Sequence, residues 1–180
     1  MSEPRASLTA TVIAGGTVLL AGGGTSSADL FKGNSIEKTA PMSAIRSGHS
    51  ATLLTAGSKA CGSGSCVFIA GGASKAASPS WEIFDVVTGS FGRAANATEM
   101  LNPLRAHQAA ALLADGRVLL AGGTAQNQAL ETSEAFDGAG FKAGPSLQTA
   151  RTGAASAFVP SLDLLMLSGG SEAPELITGY

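Results

Sequence analysis

The sequence predicts an all-β protein built from four tandem copies of one unit, and three recurring landmarks predict it. A Gly pair closes each of four apolar runs, an Arg precedes each pair, and an acidic residue with an apolar residue two places on follows it. The pairs are Gly22-Gly23, Gly71-Gly72, Gly122-Gly123 and Gly169-Gly170, whose first members stand 49, 51 and 47 residues apart. The arginines are Arg5, Arg46, Arg105 and Arg151, lying 17, 25, 17 and 18 residues before them. The one long distance is an insertion, the Gly/Ser-rich segment from Lys59 to Cys66. The acid/apolar landmarks are Asp29/Phe31, Glu82/Phe84, Glu134/Phe136 and Glu175/Ile177. Recurrence at a fixed period is the mark of a repeat architecture, here a single domain over 1–180 with units at roughly 5–41, 42–100, 101–146 and 147–180.

Within a unit the pieces read as strands. In the third copy His107–Leu113 and Arg117–Ala121 flank Ala114-Asp115-Gly116, and Asp-Gly between two apolar runs is a strong hairpin signal. The run Val118-Leu119-Leu120-Ala121 is continuously apolar instead of alternating, which fits a strand buried on both faces. A third strand carries the acid and the Phe, as in Trp81–Val86, and a short fourth follows a turn, as in Thr88–Phe91 and Gly140–Lys142. Four strands in about 50 residues is the size of one β-propeller blade.

The strings Arg46–Leu54, Val67–Gly72, Glu82–Asp85 and Thr88–Phe91, repeated at Arg105–Gly123, Glu134–Asp137 and Phe141, resemble the bacterial kelch repeat over essentially the whole chain. The resemblance implies four-stranded blades arranged radially, as in the central domain of galactose oxidase. Phe91, Phe141 and Ile36 stand where the family often has an aromatic, usually Trp. Leu8 and Ala154 stand where the second copy has His49. Family propellers have six or seven blades and this chain supplies four. Counted by the family pattern, the chain begins in the second strand of a blade and stops near Tyr180 in the outermost strand of the fourth. It is therefore expected to be part of a larger propeller, the alternatives being a closed four-bladed ring or a ring completed by self-association.

Composition excludes several classes of function. Charged residues are 13% of the chain and the net charge is -2, about half the usual charged fraction of about 25%. Nucleic acid, which needs a clustered basic face, is not an expected partner. No apolar run approaches the about 20 residues of a membrane span. Met1–Arg5 has no basic start followed by an apolar stretch. Hydrophobic residues make up 44%, ample for a core. The copper site of galactose oxidase relatives uses two Tyr and two His, and this chain has one Tyr; no cofactor is expected. Kelch-type sugar epimerases offer no mappable residues, so no catalytic residue is assigned. The Gly-rich strings, such as Ala21–Thr25, match no phosphate-loop pattern.

Arg46, Arg105 and Arg151 can be read as an anionic-ligand site or as structure. The Arg at the start of one strand, the Gly pair (Gly71-Gly72, Gly122-Gly123 or Gly169-Gly170) ending the next, and the acid starting the one after share one blade end. The flanking strands are about 10 Å apart, with no side chain between them at the Gly pair. Pairs Arg46–Glu82, Arg105–Glu134 and Arg151–Glu175 are therefore expected. His49 and His107 fall three and two residues after their arginines, at non-equivalent positions, which suits hydrogen bonding better than metal binding. Cys61 and Cys66, with four residues between them, fit a loop-stapling disulfide better than a redox motif, and a disulfide argues for an extracellular or periplasmic location. Asn96-Ala97-Thr98 is a glycosylation sequon. The expected function is a non-catalytic module binding a protein or glycan through face loops, among them Cys61–Cys66, Val87–Ser90 and Gly138–Gly140. The alternative is a fragment of a carbohydrate-active enzyme whose catalytic residues lie elsewhere.

Overall fold

The computed structural model describes residues 2–72, 80–93 and 97–180. It is all-β, with four small antiparallel sheets around a common axis in a four-bladed β-propeller arrangement. Blade 1 contains β1 (Leu8–Val12), β2 (Val18–Gly22), β3 (Ala28–Phe31) and β4 (Ile36–Lys38). Blade 2 contains β5 (Ser50–Leu54), β6 (Cys66–Ala70), β7 (Trp81–Asp85) and β8 (Ser90–Gly92). Blade 3 contains β9 (Ala109–Leu112) and β10 (Val118–Ala121). A two-stranded hairpin of β11 (Thr124–Ala125) and β12 (Gln128–Ala129) follows, then β13 (Ser133–Phe136) and β14 (Phe141–Ala143). Blade 4 shows three strands, β15 (Ala155–Val159), β16 (Leu164–Ser168) and β17 (Glu175–Ile177).

Within each sheet the strands lie side by side in chain order. The first strands touch one another around the axis, β1 against β5, β5 against β9 and β9 against β15. Each first strand is therefore the innermost of its blade. This corrects the expectation that the chain starts in a second strand: β1 is itself the inner strand of blade 1. The family's strand count had been laid on landmarks that sit one strand further in.

Two of the continuously apolar runs behave as expected, while β2 leaves Val18 and Leu20 half-buried. Every residue of β6 and of β10 is buried, because blades stack on both faces of their middle strands. Three apolar clusters fill three seams. Leu19, Ala21 and Ala28 of blade 1 meet Val67, Ile69 and Phe84 of blade 2. Phe68, Trp81 and Ile83 meet Val118, Leu120 and Phe136 across the next seam, and Leu119, Ala121 and Ala135 meet Leu165, Leu167 and Ile177 across the third. Aromatic residues are only 5% of the chain, yet four of them gather at the second seam. Phe68 and Phe136 stack with centroids 4.2 Å apart, and Trp81 and Phe141 lie within 5.1 Å of Phe136. The described residues contain no helix long and apolar enough to cross a membrane.

Candidate functional site

The four arginines make one repeated clamp. Arg46 Nε donates to Glu82 Oε1 at 2.8 Å, and its Nη1 donates to the carbonyls of Gly71 (2.7 Å) and Ser80 (3.2 Å). Arg105 Nε donates to Glu134 Oε1 at 2.9 Å, and its Nη1 to the carbonyls of Gly122 and Thr132. Arg151 reaches Glu175 Oε2 at 3.0 Å and the carbonyls of Gly169 and Ala173. Arg5 does the same with Asp29, Gly22 and Ser27. In each blade the guanidinium caps the carbonyl of the first glycine, freed where the chain leaves the sheet, and in blades 1–3 it shares the Ser27, Ser80 or Thr132 carbonyl with the amide of that glycine. Each carboxylate in turn accepts a backbone N–H from the segment entering its blade: Ser2, Ser43, Leu101 and Gln148. All three expected ion pairs exist. The Arg5–Asp29 pair was visible in the landmarks but not drawn from them. Burial pulls the Arg46 and Arg105 guanidinium pKa down, opposed by Glu82 and Glu134. Apart from Arg5 Nε and Arg151 Nε, which have no hydrogen-bond partner among the described residues, these groups are engaged within their own blades, and an incoming anion would have to compete with the clamp.

At the first Gly of three of the pairs the following blade comes close. A Cβ on Gly22, Gly71 or Gly122 would lie 2.9, 2.4 or 2.6 Å from the carbonyl oxygen of Arg46, Arg105 or Arg151 in the next blade. Three places after Arg46 and Arg105, a polar side chain reaches back across the same seam. His49 Nε2 lies 2.8 Å from Thr9 Oγ1 of blade 1, and Gln108 Nε2 donates to Ser50 Oγ and the Ala70 carbonyl of blade 2. His49 and Gln108 are thus equivalent, which the different chemistry of the two side chains hid in the sequence. His107 is one position earlier, exposed and in a left-handed conformation at φ 54.

Burial, with Arg46 adding to it, lowers the His49 pKa to about 4. An unfolded His titrates near about 6.5, so between those values the unfolded chain binds the extra proton. The contribution is complete above about pH 6.5 and is lost as pH falls toward 4, amounting to about 3 kcal/mol. His49→Gln copies the blade 3 solution. It is expected to lose less stability than wild type between pH 7 and pH 4.5, by about 2 kcal/mol, in paired urea titrations. Parallel pH profiles would count against a buried neutral His49.

A second concentration of side chains lies at the opposite blade end, where the β5–β6, β7–β8, β9–β10 and β13–β14 turns project. Cys61 and Cys66 form a disulfide with Cα atoms 5.2 Å apart, drawing the insertion into a compact loop. That loop lies against both neighbouring turns: a Cβ on Gly64 would be 2.8 Å from Val87 Cγ2, and one on Gly138 would be 2.8 Å from Lys59 Cβ. The structure thus brings together the three loops singled out in the sequence. Two adjoining concavities share Lys59. One, of about 310 Å³, is lined by Trp81, Asp85, Ser90, Phe91 and Arg93. The other, of about 550 Å³, is lined by Thr55–Ser58, Asp115, Arg117 and Asp137.

The charged groups here are largely occupied. Asp85 Oδ1 accepts the Val87 and Thr88 amides, both at 2.8 Å, and Asp137 Oδ1 accepts those of Ala139 and Gly140, both at 3.0 Å. Those backbone bonds hold both carboxyl groups below the usual range, so they are anionic turn formers and poor proton donors. Arg93 lies over the Trp81 ring at 5.7 Å and pairs with Glu99. Burial opposes charge on Glu99, but the bonds from Arg93 and Ser80 outweigh it and hold its pKa down to about 2. Among the described residues no three His, Cys, Asp or Glu side chains gather as a metal site. Asn96 of the sequon lies outside the described residues. No protein-family model matches this chain, and no curated protein matches it.

Proposed function

We propose that the chain is a non-catalytic binding module of kelch-type repeats that takes a protein or glycan ligand on its loop face. The supporting observation is the convergence of the disulfide-closed insertion with the Val87–Ser90 and Gly138–Gly140 turns around the two concavities that share Lys59. Concave sites of a few hundred Å³ with apolar floors and a few polar groups suit ligand capture. Among the described residues of this face, Asp85 and Asp137 are committed to their turns and Arg93 to Glu99. Lys59 and Ser90 remain at the rim as groups a ligand would meet. An extracellular or periplasmic setting belongs to the proposal, because the Cys61–Cys66 disulfide persists in an oxidising compartment.

A glycan microarray and a surface-displayed peptide library, each probed with the purified chain and with Lys59→Glu, test the proposal. Ligands recovered with wild type are expected to lose at least about tenfold in affinity with Lys59→Glu, a loss of about 1.4 kcal/mol, with Tm preserved. Full retention of binding, both in that variant and when glycines replace Ser58–Ala60, would place recognition elsewhere.

A further inference from the structure

Three seams are sealed and the fourth, between blades 4 and 1, is not. At the sealed seams the following blade always offers the same positions to the one before. These are Val67, Ile69, Phe84 and Phe91 in blade 2, and Val118, Leu120, Phe136 and Phe141 in blade 3. Repeat register places Val18, Leu20, Phe31 and Ile36 of blade 1 at those positions. They keep the same apolar character, yet Phe31 is 37% and Ile36 43% exposed. The opposite face of blade 4 shows the complementary pattern. Met166 and Leu176 are paired neighbours at the positions of the buried Leu119 and Ala135, and they are 40% and 59% exposed.

Backbone groups show the same vacancy independently. Each sealed seam carries a bond from the Gly pair to the next Arg carbonyl: Gly23 to Arg46 (2.9 Å), Gly72 to Arg105 (2.8 Å) and Gly123 to Arg151 (2.7 Å). Each also carries a bond at the inner rim, from Gly48 N to Ser7 O, from His107 N to Gly48 O and from Gly153 N to His107 O. At the fourth seam the equivalent bonds, Gly170 N to Arg5 O and Ser7 N to Gly153 O, are not made. Gly169 completes the pattern. It retains the glycine that close approach demands at Gly22, Gly71 and Gly122, yet a Cβ there would meet nothing within 4 Å. Blade 4 thus ends in donors and an apolar face shaped for a following blade, and blade 1 begins with the matching acceptor and apolar face.

We propose that the open face of blade 4 docks on the open face of blade 1 of a second copy of this chain, so that two chains close one eight-bladed ring through two identical head-to-tail seams. Head-to-tail contacts form a closed ring when the rotation closes, and eight blades lies within the usual range of about 4–8. Both halves of the missing seam are present on every copy, so a second copy supplies the required partner surface. Closure also buries apolar faces and strand-end groups that would otherwise invite open-ended aggregation.

Light scattering of the full chain during size-exclusion chromatography tests this, with two variants. Met166→Asp/Leu176→Asp damages the blade 4 face and Phe31→Asp/Ile36→Asp the blade 1 face; all four positions are exposed, and far-UV circular dichroism checks the fold. Wild type is expected at twice the 17.7 kDa of the chain. Each variant alone loses both seams and runs as a monomer, whereas their equimolar mixture regains one intact seam and the twofold mass. A wild-type monomer, an open series of larger species, or twofold mass retained by either variant alone would overturn the proposal.

Discussion

Arg105→Ala is expected to destabilise the chain by about 3–5 kcal/mol, the usual consequence of stranding a buried charge by removing its partner. The substitution leaves Glu134 buried beside the Leu101 amide and strips the Gly122 carbonyl of its donor, while the Thr132 carbonyl keeps the Gly122 amide. Glu134→Gln, which keeps the shape and one carbonyl oxygen, should cost less than Arg105→Ala. The double variant Arg105→Met/Glu134→Leu should fall well short of the sum of its two single changes, because no charge is then left unpaired. The orphaned Gly122 carbonyl still costs about 1–3 kcal/mol, so the double variant stays below wild type. Urea unfolding of the set measures all of this. A loss under about 1 kcal/mol for Arg105→Ala would mean that the clamp does not hold the blade.

Phe136→Ala should have an effect of similar size, about 3–5 kcal/mol for a large aromatic in a packed core. Phe136 stacks on Phe68 with planes 2° apart, touches Trp81 and Phe141, and is 1% exposed. The cavity would open in the seam between blades 2 and 3, so the loss should appear as uncoupling of the two blades as well as lower overall stability. A control at the corresponding position of blade 1 sharpens the test. Phe31→Ala, at a residue 37% exposed, should cost the isolated chain far less. Equal losses at the two positions, measured by thermal unfolding of monomeric samples, would contradict the seam packing described above.

Much of this arrangement was legible in the residues. The ion pairs Arg46–Glu82, Arg105–Glu134 and Arg151–Glu175 could be drawn because Arg, Gly pair and acid recur in fixed order, and neighbouring antiparallel strands bring such landmarks to one blade end. The grouping of the three loops followed from the same alternation of hairpin ends, and the Cys61–Cys66 link from the spacing of the two cysteines in a Gly/Ser-rich insertion. The position of the innermost strand was misjudged, since a repeat can be cut at any point and its period does not say which strand faces the axis. The equivalence of His49 and Gln108 was hidden because the seam asks for a hydrogen-bonding side chain of suitable length, and two different chemistries meet that need. The β11–β12 hairpin escaped because its turn uses Gln126 and Asn127, both with positive φ, where a glycine would have signalled it. Blade 4 shows three strands, and Thr178-Gly179-Tyr180, where an outermost strand was expected, lies outside them.

That the blades are held to one another through backbone bonds at the inner rim is tested most directly by native-state hydrogen exchange of the Gly48, His107 and Gly153 amides. Each donates to the carbonyl of the preceding blade, at 3.2, 2.6 and 2.8 Å. These three amides are expected to exchange as slowly as those of the buried strands β6 and β10, opening only with the cooperative unfolding of the chain. Fast exchange at all three, with β6 and β10 still protected, would instead show four blades that fold separately and do not form a propeller.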